Sequence, residues 1–185
     1  MVIALLPFLI SCDSFSERLH PEQTASHPRD AGYRALRTLL SDEQHIKTLR
    51  IVKSVVTFQA TSDSTIALID DIATTASSSL AEIDKLATLE PEINFDESAP
   101  AQLGSEILDA LRVATAWELI SASRDDFELN LVLSQTQALR LISQLLKELQ
   151  KLDPNAKRQV WLAGLDDNYV DLYRRAVARL SVADE

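Results

Sequence analysis

Apolar residues recur at intervals of three and four along most of the chain, the spacing that places side chains on one face of an α-helix. A first short stripe holds Tyr33, Leu36, Leu39 and Leu40, and a helix is expected to begin near Arg29 or Asp30. Ser41, with Gln44 three residues on, then reads as a capping box opening a second helix. From Asp42 to Glu90 no breaker occurs, and apolar residues fall at 46, 49, 52 and 56 and again at 66, 69, 73, 76, 80, 83 and 87. The pair Glu90-Pro91 closes that span, because a residue preceding proline disfavours helical geometry.

An acidic loop, 91–100, precedes a second long span carrying Leu103, Ile107, Leu111, Ala114 and Trp117, then Phe127, Leu131, Ser134, Ala138, Leu141, Leu145, Leu149 and Leu152. Asp153-Pro154 ends it and opens the last helix, with Asp as N-cap and Pro at the first helical position. The last apolar face reads Val160, Trp161, Leu165, Tyr169, Leu172, Tyr173, Ala176 and Leu180. The fold class expected is all-α: a long antiparallel helical hairpin plus a C-terminal helix, forming a three- or four-helix bundle.

Two geometries satisfy this pattern. At 1.5 Å per residue, continuous helices over 42–90 and 101–152 would be about 73 and about 78 Å long, an elongated hairpin. Alternatively, Thr61, Ser62, Asp63 and Ser64 interrupt the first stripe, and Ser123, Arg124, Asp125 and Asp126 interrupt the second. With a turn near residue 95 the two patches lie at equal height, so both helices breaking there would give a compact four-helix bundle. Neither patch contains Gly or Pro, which favours the elongated form.

Composition reinforces the helical reading. The 185 residues include only three glycines, too few for the turns of a β-rich fold, and no proline interrupts 33–90 or 105–153. The net charge of −10 is concentrated in 41–153, since 12–40 and 154–185 are each balanced. An acidic surface repels phosphate backbones, so no nucleic-acid partner is expected.

Residues 1–10, MVIALLPFLI, are uncharged, too short to span a bilayer and of the length of a signal-peptide core. Ser11 and Cys12 follow. The run Leu9, Ile10, Ser11 and Cys12 resembles the lipobox of bacterial lipoproteins, though no Lys or Arg precedes the apolar run as a signal peptide's basic n-region would. The resemblance covers the first dozen residues. It implies cleavage before Cys12, with Leu9, Ile10 and Ser11 read by the peptidase, and lipid attachment at Cys12. Asp13 after the cysteine implies, by resemblance to enteric lipoproteins, retention on the inner membrane facing the periplasm. Cys12 is the sole cysteine, and acylation accounts for a lone thiol in an exported chain. The competing account is a cytosolic N-terminus with a chance cysteine. The organisation expected is a leader over 1–11, a flexible tether over 12–29 and one helical domain over 30–185.

Chemistry-bearing constellations are sparse. His20, His27 and His45 form no Glu-x-x-His pair, and one thiol makes no zinc site, so neither metal nor cofactor is expected. The pairs Asp70-Asp71, Asp125-Asp126 and Asp166-Asp167 with Asp171 read as solvated faces paired with Lys157, Arg174 or Arg175. The last group also resembles the aspartate-rich motif of isoprenoid synthases, but its third acid is one position late and the chain is much shorter. Trp117 and Trp161 read as core, and the small polar run 74–79 as a close-packing surface. No catalytic residues emerge, and an enzyme is not expected. The function expected is a cell-envelope lipoprotein held to a membrane by its lipid anchor, contacting a protein partner or serving as an accessory subunit. The alternatives are a small-molecule-binding sensory bundle, with Ser134 and the 61–64 patch lining a cavity, and a cytosolic coiled-coil adaptor. Dimerisation through leftover apolar faces is a further expectation.

Overall fold

In the computed structural model, the described residues are 28–57, 61–95 and 126–182, and among them every regular element is an α-helix. The helices are α1 (Pro28–Thr57), α2 (Asp63–Leu86), α3 (Phe127–Leu152) and α4 (Ala156–Val182). Helix α1 packs on α2 and α3, and α4 packs on α3 and α2, so α1 faces α4, and α2 faces α3, across the diagonals of a four-helix bundle.

Side-chain pairings between helices fix the register. Arg37 pairs with Asp84 and Lys47 with Asp70, so α1 and α2 are antiparallel. The start of α1 meets the end of α3, where a Cβ placed on Gly32 would sit 2.8 Å from Leu149 and Tyr33 bonds Asp153. Arg158 of α4 bonds the Leu86 carbonyl at the end of α2, and Gln159 of α4 bonds the Gln150 carbonyl near the end of α3. Ser143 bonds Asp166 across α3 and α4, and Arg175 pairs with Asp71 across α4 and α2. Helices α1 and α4 therefore run in one direction and α2 and α3 in the other.

The described helices pack as a four-helix bundle and the uninterrupted helix over 42–90 is not observed, while the second interruption, apart from Asp126, lies outside the described residues. The chain leaves α1 at Thr57, and Ser62, extended at φ −62° and ψ 146°, starts α2 by accepting the Thr65 N–H at 3.3 Å. A cap that satisfies an orphan N–H stops a helix without Gly or Pro, which is why their absence misled. Folding at this patch also reassigns partners. The 63–86 span pairs with α1 and α4 rather than antiparallel to 127–152, which lies diagonal and parallel to it.

Three expected boundaries move. Ser41 is no cap: α1 runs through it, because the stripe Tyr33, Leu36, Leu40 and Ile46 is buried without interruption. Helix α2 ends at Leu86, short of Glu90-Pro91, where the peptide is cis. Asn155, not Asp153, caps α4, its side-chain oxygen accepting the Arg158 N–H at 3.1 Å. The 101–125 part of the second span and Trp117 lie outside the described residues.

The core joins all four helices through residues including Leu36, Leu40, Leu68, Ile72, Leu139, Ile142, Leu162 and Leu172. Two stripes were misread, by two positions at the start of α4 and by one on α3. On α4, Val160 is 74% exposed and Leu162 is buried in its place. On α3, Leu141 and Leu152 are exposed, while Val132, Leu139, Ile142 and Leu146 are buried. Helix α3 contacts both α1 and α4, so its apolar face is wide, and spacing alone does not select the central seam.

Candidate functional site

Several buried positions on the apolar stripes carry polar or charged groups. Helix α4 buries Arg158, Leu162, Leu165, Tyr169, Leu172 and Ala176 at intervals of three and four, so a guanidinium heads an apolar face. Helix α1 buries Arg29, Tyr33, Leu36, Leu40, Glu43 and Ile46, and Glu43 takes a core position. On α3, Gln135 stands between Leu131 and Leu139.

Arg158, fully buried, is matched by partners on every side. Its Nε donates to Asp153 Oδ2 at 2.6 Å and its Nη2 to Asp153 Oδ1 at 3.0 Å. Nη1 donates to the Leu86 and Leu89 carbonyls and Nη2 to the Pro91 carbonyl at 2.9 Å. The Tyr33 hydroxyl donates to Asp153 at 2.5 Å, and the Asn155 N–H adds a bond at 2.8 Å. Burial pushes the Asp153 carboxyl up, but the bonds from Arg158, Tyr33 and Asn155 outweigh it and hold the group below the usual carboxylate range. Burial and the adjoining carboxylate push the Tyr33 phenol upward. Arg29 extends the clamp, donating to the Pro91 and Glu92 carbonyls, while Asn155 Nδ2 donates to the Glu90 carbonyl at 2.7 Å. The loop after α2 thus spends its carbonyls on side chains from α1 and the α3–α4 turn.

The opposite end carries a smaller brace. Glu128 accepts from the Ser62 N–H at 3.1 Å, from the Ser62 hydroxyl and from the Thr65 hydroxyl at 2.5 Å. Arg179 Nη2 donates to Ser62 Oγ at 3.0 Å. Partial burial raises the Glu128 carboxyl, yet these bonds and the Arg179 charge bring it below its ordinary value. The first polar interruption, through Ser62, is thus tied to Glu128 and Arg179 in a junction of α2, α3 and α4, while 123–125 of the second lie outside the described residues.

Between the two ends lies a layer of another kind. The registers set Glu43 level with Ala76 of α2, and with Leu139 of α3 and Tyr169 of α4 to within a turn. Since α1 and α4 are diagonal, Glu43 and Tyr169 approach one another across the bundle axis. Glu43 Oε2, Tyr169 Oη and Gln135 Oε1 are all buried without a hydrogen-bond partner among the described residues. Burial first, and then the neighbouring Asp42, push the Glu43 carboxyl up to about 8. Burial and the Glu43 carboxylate push the Tyr169 phenol upward too.

A groove of about 600 Å³ opens between α1 and α2, lined by Arg34, Arg37, Asp42, Leu80, Asp84 and Phe95 among others. Arg37 lies 4.9 Å from the Phe95 ring centroid and pairs with Asp84, so its charge is engaged within the fold.

Leu9, Ile10, Ser11 and Cys12 lie outside the described residues, as do His20 and His27. The acidic pairs meet bases across helices: Asp70 with Lys47, Asp71 with Arg175, and Asp166 with Lys147 and the Ser143 hydroxyl. Ser134 bonds its own helix at the Leu131 carbonyl and is only half-buried, so it lines no interior site; Gln135 beside it does face the core. Within 74–79 only Ala76 and Ser79 are buried, which makes the close-packing surface narrower than expected. Among the described residues no group of three His, Cys, Asp or Glu is placed to hold a metal ion, and no helix is long and apolar enough to cross a membrane.

Sequence reasoning passed over Arg158, Glu43 and Gln135 and took Asp153 for a cap. The signal was present: each of the first three occupies a three-four stripe position where an apolar residue belongs. What the fold and site define is an all-α four-helix bundle with a clamped loop at one end and a polar layer at its middle. Comparison of the chain with protein-family models, curated proteins and solved structures gives no match.

Proposed function

We propose that this is a lipid-anchored protein of the bacterial cell envelope that works by protein contact. The observation that carries the reading is the uncharged run over 1–10 followed by Ser11 and Cys12, the sole cysteine of the chain. The described bundle begins at Pro28, beyond that cysteine. Its charged interior groups support a scaffold role: Arg158, Asp153 and Glu128 are bound to partners within the fold and hold elements together. For contact with a partner, α3 offers Leu129, Leu133 and Leu141, each more than 40% exposed.

The test is fractionation of cells expressing the full chain with and without Cys12→Ala, combined with metabolic labelling by a fatty acid. The expected outcome is label and membrane association in the wild type, and loss of both in the variant. An unlabelled chain that fractionates identically in both forms rejects the anchor and favours the cytosolic adaptor. A second reading, a sensory bundle that binds a small polar molecule, is favoured by the unpartnered Glu43, Gln135 and Tyr169. A melting temperature that rises with one compound, and does so less in Glu43→Gln, would support it.

A further inference from the structure

Glu43 and Tyr169 lie on different halves of the bundle, Glu43 on the α1–α2 hairpin and Tyr169 on the α3–α4 hairpin. Where they approach, α2 contributes Ala73, Ala76 and Ser79, and α3 contributes Leu139 and Gln135. The ionisable groups around this layer offer Glu43 no counter-charge, and the nearest imidazole, His45, is exposed and bonds the Ser41 carbonyl. On α1, Asp42 adjoins Glu43 and is repulsive, while Lys47 is engaged with Asp70 and Arg37 with Asp84. On α2, beside Asp70 and Asp84, exposed Asp71 pairs with Arg175 and Glu82 pairs with Lys85. On α3, Arg140 is exposed, and on α4 Asp167 and Asp171 are exposed and Asp166 is engaged by Ser143 and Lys147, leaving the phenols of Tyr169 and Tyr173. Among the described residues no cation therefore reaches Glu43 Oε2, and no hydrogen bond reaches it. A carboxylate in such a place cannot be stabilised by its surroundings, whereas a neutral carboxylic acid can be accommodated.

We propose that the mid-bundle layer of Glu43 and Tyr169 is a proton-binding site that couples the association of the two helical hairpins to pH. The bound species is one proton on the Glu43 carboxyl. On ionisation the O–H bond breaks, its proton passes to solvent, and the electron pair stays on a carboxylate facing the Tyr169 oxygen. The seam between the hairpins then holds a buried carboxylate with no counter-charge, which disfavours their association. The inference is independent of where the chain resides in the cell, so it stands or falls separately from the lipid anchor.

The sign follows from linkage. A free glutamate titrates near 4.5 and Glu43 in the bundle near 8. Between those values the folded chain keeps a proton that the unfolded chain has released. The folding constant then falls with rising pH, by up to tenfold per unit, and levels off above about 8. Two measurements on the full chain test this. Denaturant unfolding from pH 4.5 to 9 should show that decline in the wild type and its absence in both Glu43→Gln and Glu43→Met, the second guarding against a glutamine variant that fails to fold. Carbon-13 spectra of the side-chain carboxyls should show one resonance titrating near pH 8 that disappears in either variant. A wild type whose stability is flat over this range overturns the proposal. So does a decline that persists in the variants, which would assign it to the general acidity of the chain.

Discussion

Arg158 and Glu43 occupy equivalent stripe positions on α4 and α1, both within the core, yet their surroundings differ in kind. Around Arg158 the fold supplies a carboxylate and three carbonyls, and the charge is kept. Around Glu43 it supplies alanines, a serine, a leucine, a glutamine and a phenol, none of which bonds Oε2, and burial drives the carboxyl toward its neutral form. Two tyrosines mark the contrast: the Tyr33 hydroxyl has a carboxylate to bond, and the Tyr169 hydroxyl has none. A buried charge with matched partners ties elements together, while one without partners becomes a site of protonation.

Substitutions break the comparison at different strengths. Arg158→Met should be the most damaging, about 3–5 kcal/mol by denaturant unfolding, because it leaves Asp153 without its cation and removes the guanidinium bonds to the Leu86, Leu89 and Pro91 carbonyls. Tyr33→Phe should cost about 1.5–3 kcal/mol, since it removes a buried bond to a carboxylate. Glu43→Met should act in the opposite direction, raising stability at pH 8 by about 1–3 kcal/mol because an unpartnered buried carboxyl is removed. Tyr169→Phe should leave stability unchanged or raised by less than about 1 kcal/mol. A loss in Tyr169→Phe matching that in Tyr33→Phe would erase the distinction between the two regions. At the brace, Ser62→Ala should cost about 1 kcal/mol through the lost α2 cap.

The two regions also place opposite limits on pH. Asp153 and Glu128 have depressed values in the folded chain, so their contribution is present above the ordinary carboxylate range and is lost as pH falls through their folded values. Glu43 has a raised value, so its contribution is present below about 4.5 and is lost on the way up to about 8. Stability measured against pH should peak in the mildly acidic range, and in Glu43→Gln the alkaline shoulder of that peak should flatten.

Much of this was legible in the chain. The three-four spacing, the scarcity of glycine and the prolines at 91 and 154 specify helices, because local geometry and burial of one face are encoded within each segment. Ser62 was visible as part of a polar interruption, but its bond to Glu128 was not, because the expected antiparallel hairpin is not the arrangement that brings them together. The seam of α3 was not legible, since a helix with two neighbours buries more positions than one stripe describes.

The sequence by itself determined where backbone hydrogen bonds close locally and which residues must leave water. It also placed an arginine, a glutamate and a glutamine in positions that would be drawn inside. Only the tertiary structure decided which helices became diagonal, and therefore that Arg158 would meet Asp153 and the carbonyls after α2, while Glu43 would meet Tyr169. Partners for a buried polar group come from segments distant in the chain, and their arrival depends on register and packing that no single helix encodes.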